Sequence, residues 1–385
     1  MNYTNLISYI KSSLYKYDNP VILHRPVFSG NEKNYLSECI DSNFVSSVGQ
    51  KVIDFENQIT KFTGAKKAIA TVNGTAALHM ALQLVGVTPD TEVITQPVSF
   101  VATCNAISYC NALPVFVDVD KDTMGLSPEK LEEFIKVNVK LTSEGPINKV
   151  TGKKISACVP MHTFGHSCRI DEIVEICNTY KIPVVEDAAE SLGSYYKGKH
   201  TGTFGTIGVV SFNGNKIITT GGGGMLVTNN IDLAARAKYL TTTGKRPHPY
   251  EYFHEEKAYN YRLPNLNAAL GCAQMEQLPG FLKEKRELAE KYRQFFNKTD
   301  IDFVIEPENA NSNYWLNAVI LSNRKERDAF LKATNDQGVM TRPVWTLMNK
   351  LPMFQNCQSG DLSNAEWLED RIVNIPSSVP TPKPE

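Results

Sequence analysis

A regular alternation of short apolar strands with helix-length segments begins near residue 66 and constrains the fold more than any other feature of the chain. Strands that alternate with helices predict a mostly parallel sheet with helices on both faces. In such sheets, ligands bind beyond the carboxyl ends of the strands. We therefore expect an α/β fold, in which the last two strands can pair in antiparallel fashion. Seven strands are predicted, at residues 67–72, 92–95, 113–118, 155–160, 183–187, 206–212 and 224–228.

A long helical segment follows the predicted sheet, from Leu266 to about Phe296. After it, the chain holds a further strand pattern and a further helix pattern, which indicate a smaller α/β unit. We expect a large domain over residues 1–265, in which residues 1–60 form a helical and extended arm. Residues 266–385 are expected to form the long linking helix and a small C-terminal domain.

The composition excludes several classes of protein. A formal net charge of −1 provides no basic field that would attract nucleic acid or an anionic membrane. No apolar run approaches the roughly 18–20 residues of a membrane span, and the N-terminus lacks the layout of a signal peptide. The eight cysteines are scattered without a CxxC pair, which indicates reduced thiols rather than a zinc ribbon. We expect a cytoplasmic protein with no metal site, no nucleic-acid partner and no membrane partner.

One lysine and one aspartate indicate the chemistry. Lys216 lies shortly before four consecutive glycines, Gly221–Gly224, and Asp187 ends an apolar strand upstream of it. A pyridoxal phosphate (PLP) enzyme needs a lysine that forms a Schiff base with the aldehyde, and a carboxylate that keeps the ring nitrogen protonated. A lysine before glycines is also a common solvated turn, and an aspartate after a strand is also a common helix cap. Whether this pair is catalytic therefore depends on the residues around it.

Several other polar or aromatic residues follow predicted strands. Gly74 and Thr75 open a helix after a strand, and Ser211 could add a hydroxyl to the phosphate seat that such a helix start offers. The same letters also make an ordinary helix cap. Phe100 could stack on a planar ring or belong to the core. His162 follows a strand as well, where either a functional or a structural role is open.

These residues belong to motifs that resemble the PLP-dependent sugar aminotransferases of the DegT/DnrJ/StrS group. The resemblance covers nearly the whole chain, and so many motifs in the same order make chance resemblance a poor explanation. It implies a type I PLP-dependent aminotransferase fold, with a large, mostly parallel seven-stranded sheet domain and a smaller C-terminal α/β domain. The motifs are Phe44–Gly49, Phe55-Glu56, Asn73–Leu78, Ser99–Thr103, Val117–Asp120, His162–Gly165, Glu186–Gly193, Ser211–Lys216, Tyr259–Arg262 and Asn267–Gly271.

The resemblance implies roles for the residues around the cofactor ring. Lys216 would bind the aldehyde and move the proton, and Asp187 would pair with the ring nitrogen. Phe100 would stack on the ring. Glu190 stands where the family often has glutamine, at the position that contacts the hydroxyl side of the ring, so that contact is either retuned or absent.

The resemblance also implies how the phosphate is held. Gly74, Thr75 and Ser211 would bind it within the same chain. Asn260 would reach towards it from the partner subunit, which makes the active site a property of a homodimer.

The sequence is less specific about the residues that contact the substrate. Lys245 and Arg246 are our candidates for the diphosphate of a sugar nucleotide, with a solvated loop as the alternative. Tyr259 and His162 are further substrate-binding candidates. The family commonly has Gly-Glu-Gly-Gly after the lysine, where this chain has Gly221–Gly224, and the lost carboxylate puts some substrate contacts in doubt.

The implied reaction is a transamination from L-glutamate to the C4 keto group of a nucleotide-linked 4-keto-6-deoxy hexose. The glycine run and the segment 241–252 are most similar to the branch that makes bacillosamine- and legionaminic-type amino sugars, which implies an acetamido group at C2. Three alternatives stay open: a PLP-binding regulator or sensor without turnover, a sugar aminotransferase that acts at C3, and a nucleotide-binding dehydrogenase. The last is disfavoured because no GxGxxG follows the first strand. The nucleotide base is likewise open.

Overall fold

The structure is a computed structural model that describes residues 3–380, so residues 1–2 and 381–385 at the ends of the two predicted domains lie outside the described residues. The helices are α1 (Thr4–Tyr9), α2 (Glu32–Asp41), α3 (Gln50–Thr63), α4 (Gly74–Leu84), α5 (Val101–Tyr109), α6 (Pro128–Asn138), α7 (Ile170–Thr179), α8 (Ile231–Thr241), α9 (Asn265–Phe296), α10 (Arg324–Asp336) and α11 (Ser363–Glu369). A π-helical turn, Ile10–Leu14, continues α1, and 3₁₀ turns occupy Thr163–Gly165 and Met348–Lys350.

The longer strands are β1 (Lys67–Thr71), β2 (Glu92–Thr95), β3 (Leu113–Phe116), β6 (Ile155–Val159), β7 (Val185–Asp187), β10 (Ile207–Ser211), β11 (Gly224–Thr228), β14 (Asn317–Ile320) and β16 (Ile372–Ile375). The shorter or peripheral strands are β4 (Val139–Thr142), β5 (Gly145–Asn148), β8 (Tyr195–Tyr196), β9 (Lys199–His200), β12 (Asp302–Phe303), β13 (Ala310–Asn311) and β15 (Arg342–Pro343).

Seven strands of the described chain form one central sheet in the order β3-β2-β6-β7-β10-β11-β1. The junction between β6 and β7 consists of two parallel bridges, Cys158 with Val184 and Met161 with Asp187. Strand β11 runs antiparallel to both of its neighbours, and the other adjacent strands are parallel. The predicted large, mostly parallel seven-stranded sheet and its antiparallel pair are therefore confirmed.

Side-chain caps explain where several helices begin. The Asn73 side chain accepts a hydrogen bond from the Ala76 amide at the start of α4 (2.7 Å), and Asn323 caps α10 in the same way. An asparagine cap satisfies one of the amides that have no partner within the helix. Helix α6 has a serine cap at Ser127, followed by a proline at its first position.

The C-terminal part of the chain forms a second, antiparallel sheet in the order β12-β14-β16-β15. Its core includes residues of α1, such as Leu6 and Ile7, together with Phe330 and Val373. The start of the chain thus packs against the C-terminal sheet, whereas we had assigned residues 1–60 to an arm of the large domain. An apolar helix face does not reveal from sequence which sheet it covers. The division of the chain at residue 265 stays a prediction.

All eight cysteines lie within the described residues and are free thiols. Among residues 3–380, no helix combines the length and the apolar character that crossing a bilayer requires.

Candidate active site

A cavity of about 390 Å³ opens at the carboxyl ends of the parallel strands, within the roughly 300–1,000 Å³ typical of small-molecule sites. Segments that follow β1, β2, β6, β7 and β10 form most of its wall, and two tryptophans of the C-terminal part complete it. The lining residues are Asn73, Gly74, Thr75, Leu78, Phe100, Ala102, Thr103, Met161, Asp187, Ala189, Glu190, Ser211, Asn213, Asn215, Lys216, Trp315 and Trp345.

The amine of Lys216 lies between a carboxylate and an indole ring. Lys216 Nζ is 3.1 Å from Glu190 Oε1 and 3.9 Å from the centroid of the Trp315 ring. The lysine side chain is 12% exposed and that of Glu190 is 1% exposed. The amine is therefore held at one position in a largely desolvated site, while its end still faces the cavity.

Asp187 is a buried carboxylate at the end of β7. Its Oδ2 accepts a hydrogen bond from Thr103 Oγ1 (2.6 Å), and its Oδ1 accepts one from the Ala189 amide (3.1 Å). Burial raises the pKa of Asp187, and the two hydrogen bonds act in the opposite direction. No ion pair with another described residue compensates this carboxylate, so the site favours a cationic group of a ligand next to it.

We expect the Thr103→Val substitution to weaken cofactor binding by about 10–100-fold. The substitution keeps the shape of the side chain but removes the 2.6 Å hydrogen bond that lowers the pKa of Asp187. Hydrogen bonds to charged groups contribute about 1.5–3 kcal/mol. Titration of the cofactor-free protein with PLP, followed by visible absorption, measures the effect. Thr103→Ser retains the hydroxyl and serves as the control; equal affinities for the valine and serine variants would contradict this role.

Glu190 is a second buried acid of the site. Burial raises the pKa of Glu190 to about 7, although the nearby Lys216 amine and the Phe164 amide, which donates a 2.9 Å hydrogen bond, both lower it. The carboxyl group therefore gains or loses its proton close to neutral pH, next to the lysine amine.

The raised pKa of Glu190 predicts a pH-dependent stability of the cofactor-free protein. The unfolded chain releases this proton near pH 4.5, whereas the folded chain keeps it up to about pH 7. The protonated carboxyl group therefore stabilises the folded chain fully below the unfolded pKa of 4.5, and this stabilisation is lost as the pH rises through the folded pKa of about 7. We expect Glu190→Gln to remove this loss, which is on the order of 3 kcal/mol. Urea unfolding at pH 5 and pH 8 tests it, and parallel pH dependences of the wild type and the variant would exclude Glu190 as the source.

The start of α4 and the end of β10 form a small polar cradle. The Ala76 and Ala77 amides bond to the side chain and the carbonyl of Asn73, which leaves the Gly74 and Thr75 amides as the first donors of the helix. A Cβ atom at Gly74 would lie 3.0 Å from Ser211 Cβ and would occupy this cradle. Amides at a helix start together with two hydroxyl groups bind phosphate well.

The glycine run has different roles along its length. Gly221 has a φ of +79°, which favours glycine, and a Cβ at Gly224 would lie 2.4 Å from the backbone of Asn73. A Cβ at Gly222 would meet only the Val72 carbonyl, at 3.9 Å. The position at which the family commonly has glutamate thus has space for a side chain, and its glycine is not required by packing.

Phe100 and Trp345 flank the mouth of the cavity. Their ring centroids are 6.2 Å apart, and Phe100 is 49% exposed. A half-exposed aromatic side chain at a cavity mouth has an unpaired face that can stack on a planar ligand. The structure thus favours the stacking interpretation of Phe100 over the alternative of a core aromatic.

The structure brings most of the predicted cofactor residues to one cavity and leaves the others elsewhere. Those that line the cavity are Gly74, Thr75, Phe100, Asp187, Glu190, Ser211 and Lys216. Those that do not line it are His162, Lys245, Arg246, Tyr259 and Asn260.

His162 corrects our expectation of a substrate contact. Its ring is fully buried, with Nε2 at 3.1 Å from Glu186 Oε2 and Nδ1 at 3.6 Å from Cys168 Sγ. The side chain is held by these buried contacts and does not line the cavity. Its neighbour Met161 lines the cavity instead.

The loop before α9 also lies away from this chain's cavity. The Tyr259 hydroxyl accepts a 2.6 Å hydrogen bond from Gln83 Nε2, and its ring stacks on Tyr261. Asn260 is exposed and accepts a bond from Arg262 Nε (3.1 Å). Tyr259 therefore does not line the cavity of its own chain, and its substrate contact stays a prediction.

The two basic candidates of this loop are likewise remote from the cavity. Lys245 Nζ lies 3.9 Å from the centroid of the Tyr252 ring, and the Arg246 amide bonds to the Phe253 carbonyl (2.8 Å). Within a single chain they match the alternative of a solvated loop. Their contact with a substrate stays a prediction.

Sequence reasoning missed several residues of the cavity wall, above all Trp315 and Trp345. Both come from the C-terminal part of the chain, which has no strand alternation that would direct attention to them. One signal was available, since the chain has only three tryptophans and two of them line the cavity. Thr103 belongs to the Ser99–Thr103 motif, but no role was predicted for it.

Comparison with known proteins places this site in context. Residues 27–383 match the DegT/DnrJ/EryC1/StrS aminotransferase family. The chain is 38% identical over 335 residues to the Bacillus subtilis (strain 168) protein EpsN, which is named as a PLP-dependent aminotransferase; the match covers 87% of this chain and 84% of that protein. It is 37% identical over 357 residues to the GDP-perosamine synthase of Escherichia coli O157:H7, covering 92% of each chain.

The fold has a close counterpart among solved structures. The crystal structure of the aminotransferase TlmJ from Streptoalloteichus hindustanus superposes with a TM-score of 0.84 at 27% sequence identity, and the match covers 93% of each chain. The type I aminotransferase fold and the use of PLP follow from these similarities together. A lysine, a buried aspartate and a phosphate cradle in one cavity agree with them, and the chain belongs to the DegT/DnrJ/EryC1/StrS family of PLP-dependent aminotransferases.

Proposed function

We propose that the enzyme transfers the amino group of L-glutamate to the C4 keto group of a nucleotide-linked 4-keto-6-deoxy hexose that carries an acetamido group at C2. The product is a 4-amino-4,6-dideoxy sugar nucleotide for surface glycan biosynthesis. The observation that carries the proposal is the placement of Lys216, Glu190 and Asp187 in one cavity of an aminotransferase fold. Similarity to a GDP-perosamine synthase supports a nucleotide-linked sugar as the substrate.

The residues of the cavity fit PLP. The uncompensated Asp187 carboxylate suits a protonated ring nitrogen, and the cradle of Gly74, Thr75 and Ser211 suits the phosphate. Phe100 offers an aromatic face, and Lys216 offers an amine whose end faces the same space. The ring nitrogen, the phosphate and the aldehyde of the cofactor thus each have a suitable partner in the cavity.

Lys216 would hold PLP covalently, and the bound cofactor would supply an electron-withdrawing ring for the substrate carbon that loses its proton. The chain itself contributes a positioned amine for proton transfer, because Lys216 Nζ lies 3.1 Å from Glu190 Oε1 and Lys216 lines the cavity. Asp187 would keep the ring nitrogen in its charged form through its desolvated carboxylate. Glu190 is the group nearest to Lys216 that can accept or return a proton near neutral pH.

We further propose that the substrate site is completed by a second subunit. Asn260, Lys245, Arg246 and Tyr259 lie outside this chain's own cavity, and the first three have exposed or partly exposed side chains. In a homodimer, Asn260 would approach the phosphate of the other subunit's cofactor, and the two basic residues would bind the substrate diphosphate.

A direct assay tests the proposed reaction. Purified enzyme loaded with PLP is incubated with glutamate and a panel of UDP-, GDP- and dTDP-linked 4-keto-6-deoxy sugars, with and without the C2 acetamido group. We expect 2-oxoglutarate and one 4-amino sugar nucleotide in equal amounts, identified by mass spectrometry and NMR. Release of 2-oxoglutarate without an amino sugar from any member of the panel would exclude this substrate class, and amination at C3 would favour the alternative within the family.

A further inference from the structure

A second lysine, Lys285, is buried behind the cavity and is not used by the proposed reaction. It lies in the middle of α9 and is 1% exposed. Its Nζ is 3.1 Å from the Trp315 carbonyl oxygen, 2.5 Å from the Ser377 carbonyl oxygen and 3.0 Å from His24 Nε2. One amine thus joins α9 to three segments that are distant in sequence.

The surroundings of Lys285 are unusual for a buried lysine, because no carboxylate of the described residues forms an ion pair with it. Burial lowers the pKa of Lys285 to about 7. Burial also lowers the pKa of His24, and the nearby amines of Lys285 and Lys216 lower it further. A neutral amine can donate two hydrogen bonds to the carbonyls and accept one from the imidazole N–H, so every contact is satisfied without a net charge. Lys285 thus forms a hydrogen-bonding centre at a buried position where an apolar side chain is usual.

The contacts of Lys285 lead to the catalytic loop through Trp315 and through His24, which forms a hydrogen bond with the backbone of Asn215. Trp315 Nε1 donates a 2.7 Å hydrogen bond to the carbonyl oxygen of Asn215, which precedes Lys216 in the chain. The face of the same indole lies 3.9 Å from Lys216 Nζ. Lys285 holds the backbone of Trp315 from behind, while Asn313 Oδ1 accepts a bond from the Trp315 amide (2.8 Å). The position of the indole therefore depends on a small set of polar contacts, of which Lys285 forms one.

We propose that Lys285 is a positioning residue for amino transfer: by holding the Trp315 backbone, it keeps the indole against the Lys216 amine. The proposal rests on the proposed role of Lys216. An indole face stabilises a nearby cation, so its position affects both the protonation and the orientation of the lysine nitrogen. Lys285 does not line the cavity, and we assign its effect to the contact with Trp315 rather than to the contact with His24.

The test compares Lys285→Met with Lys283→Met, a matched control on the same helix whose side chain is 79% exposed. In the PLP-loaded enzyme, we expect Lys285→Met to lower kcat about tenfold with a smaller change in KM. The apparent pKa of the visible band of the lysine-bound cofactor should fall by about one pH unit. In the cofactor-free protein, acrylamide should quench tryptophan fluorescence more strongly in Lys285→Met than in the control.

A double-mutant cycle separates positioning from a general loss of stability. In a Trp315→Phe background, Lys285→Met should add little to the loss of kcat and to the change in the titration, because both changes act through one residue. Equal effects in both backgrounds would overturn the proposal, as would a Lys285→Met enzyme that behaves like Lys283→Met.

A second variant and a cofactor-independent measurement complete the test. If Lys285→Met does not accumulate as folded protein, Lys285→Gln replaces it, with changes expected in the same direction. An unchanged quenching constant and titration in folded Lys285→Gln would count against the proposal. The quenching experiment needs neither cofactor nor sugar, so its outcome is independent of whether the proposed substrate is correct.

Discussion

Replacement of Lys216 by alanine is expected to abolish amino transfer from glutamate. The substitution removes the only described lysine amine that faces the cavity, and with it both the covalent link to PLP and the proton carrier. Proton transfer by a positioned side chain alone contributes about 10²–10⁴-fold, and loss of the covalent link adds to this. Steady-state release of 2-oxoglutarate from glutamate measures the loss.

The Lys216→Ala variant should remain folded and should still bind PLP without a covalent link. The phosphate cradle and Asp187 are unchanged in it, whereas Glu190 loses the cation that lowers its pKa. Lys283→Ala, which removes an exposed amine on α9, serves as the control and should keep full activity. Substantial turnover by Lys216→Ala would show that another residue supplies the catalytic amine.

Asp187→Asn is expected to lower the rate of amino transfer by about 10²–10⁴-fold without destabilising the cofactor-free protein. Removing one partner of a buried ion pair costs about 3–5 kcal/mol, which corresponds to that range of rates if the loss falls on the reaction. The amide can still accept the hydrogen bond from Thr103 (2.6 Å), but it carries no charge to pair with a protonated ring nitrogen. Single-turnover kinetics with glutamate, followed by visible absorption, measure the rate.

The unfolding transition of the cofactor-free protein distinguishes this explanation from structural damage. Burial raises the pKa of Asp187, which means that its charge is unfavourable in the empty site. The neutral asparagine should therefore leave the urea midpoint unchanged or raise it at neutral pH. A lowered midpoint together with a parallel loss of cofactor binding would assign a structural role to Asp187.

The sheet was predictable because its strands are short, apolar and separated by helices of regular length. The strand from Lys67 to Thr71 and the strand from Gly224 to Thr228 lie far apart in sequence, yet both were recognisable from their patterns. The order of the strands in the sheet was not predictable, because strand pairing depends on contacts between residues that are distant in sequence. The packing of α1 against the C-terminal sheet was missed for the same reason.

The candidate site was predictable where parallel strands bring their ends together. Gly74 and Lys216 follow strands of the central sheet and Asp187 ends one, so the three residues meet at one edge. His162 also follows a strand, but its side chain turns inward to Glu186, which strand position alone does not reveal. Trp315 lies in the segment between β13 and β14, which leads into the C-terminal sheet. Its approach to Lys216 depends on how the two sheets pack.

The most direct test of the central claim is the visible absorption spectrum of the purified protein with PLP, recorded before and after the addition of glutamate. We predict a yellow band of lysine-bound cofactor that disappears on addition of glutamate, and no such band in Lys216→Ala. A band that does not respond to glutamate would favour a PLP-binding regulator or another amino donor. A wild-type protein that forms no band with PLP would contradict the account.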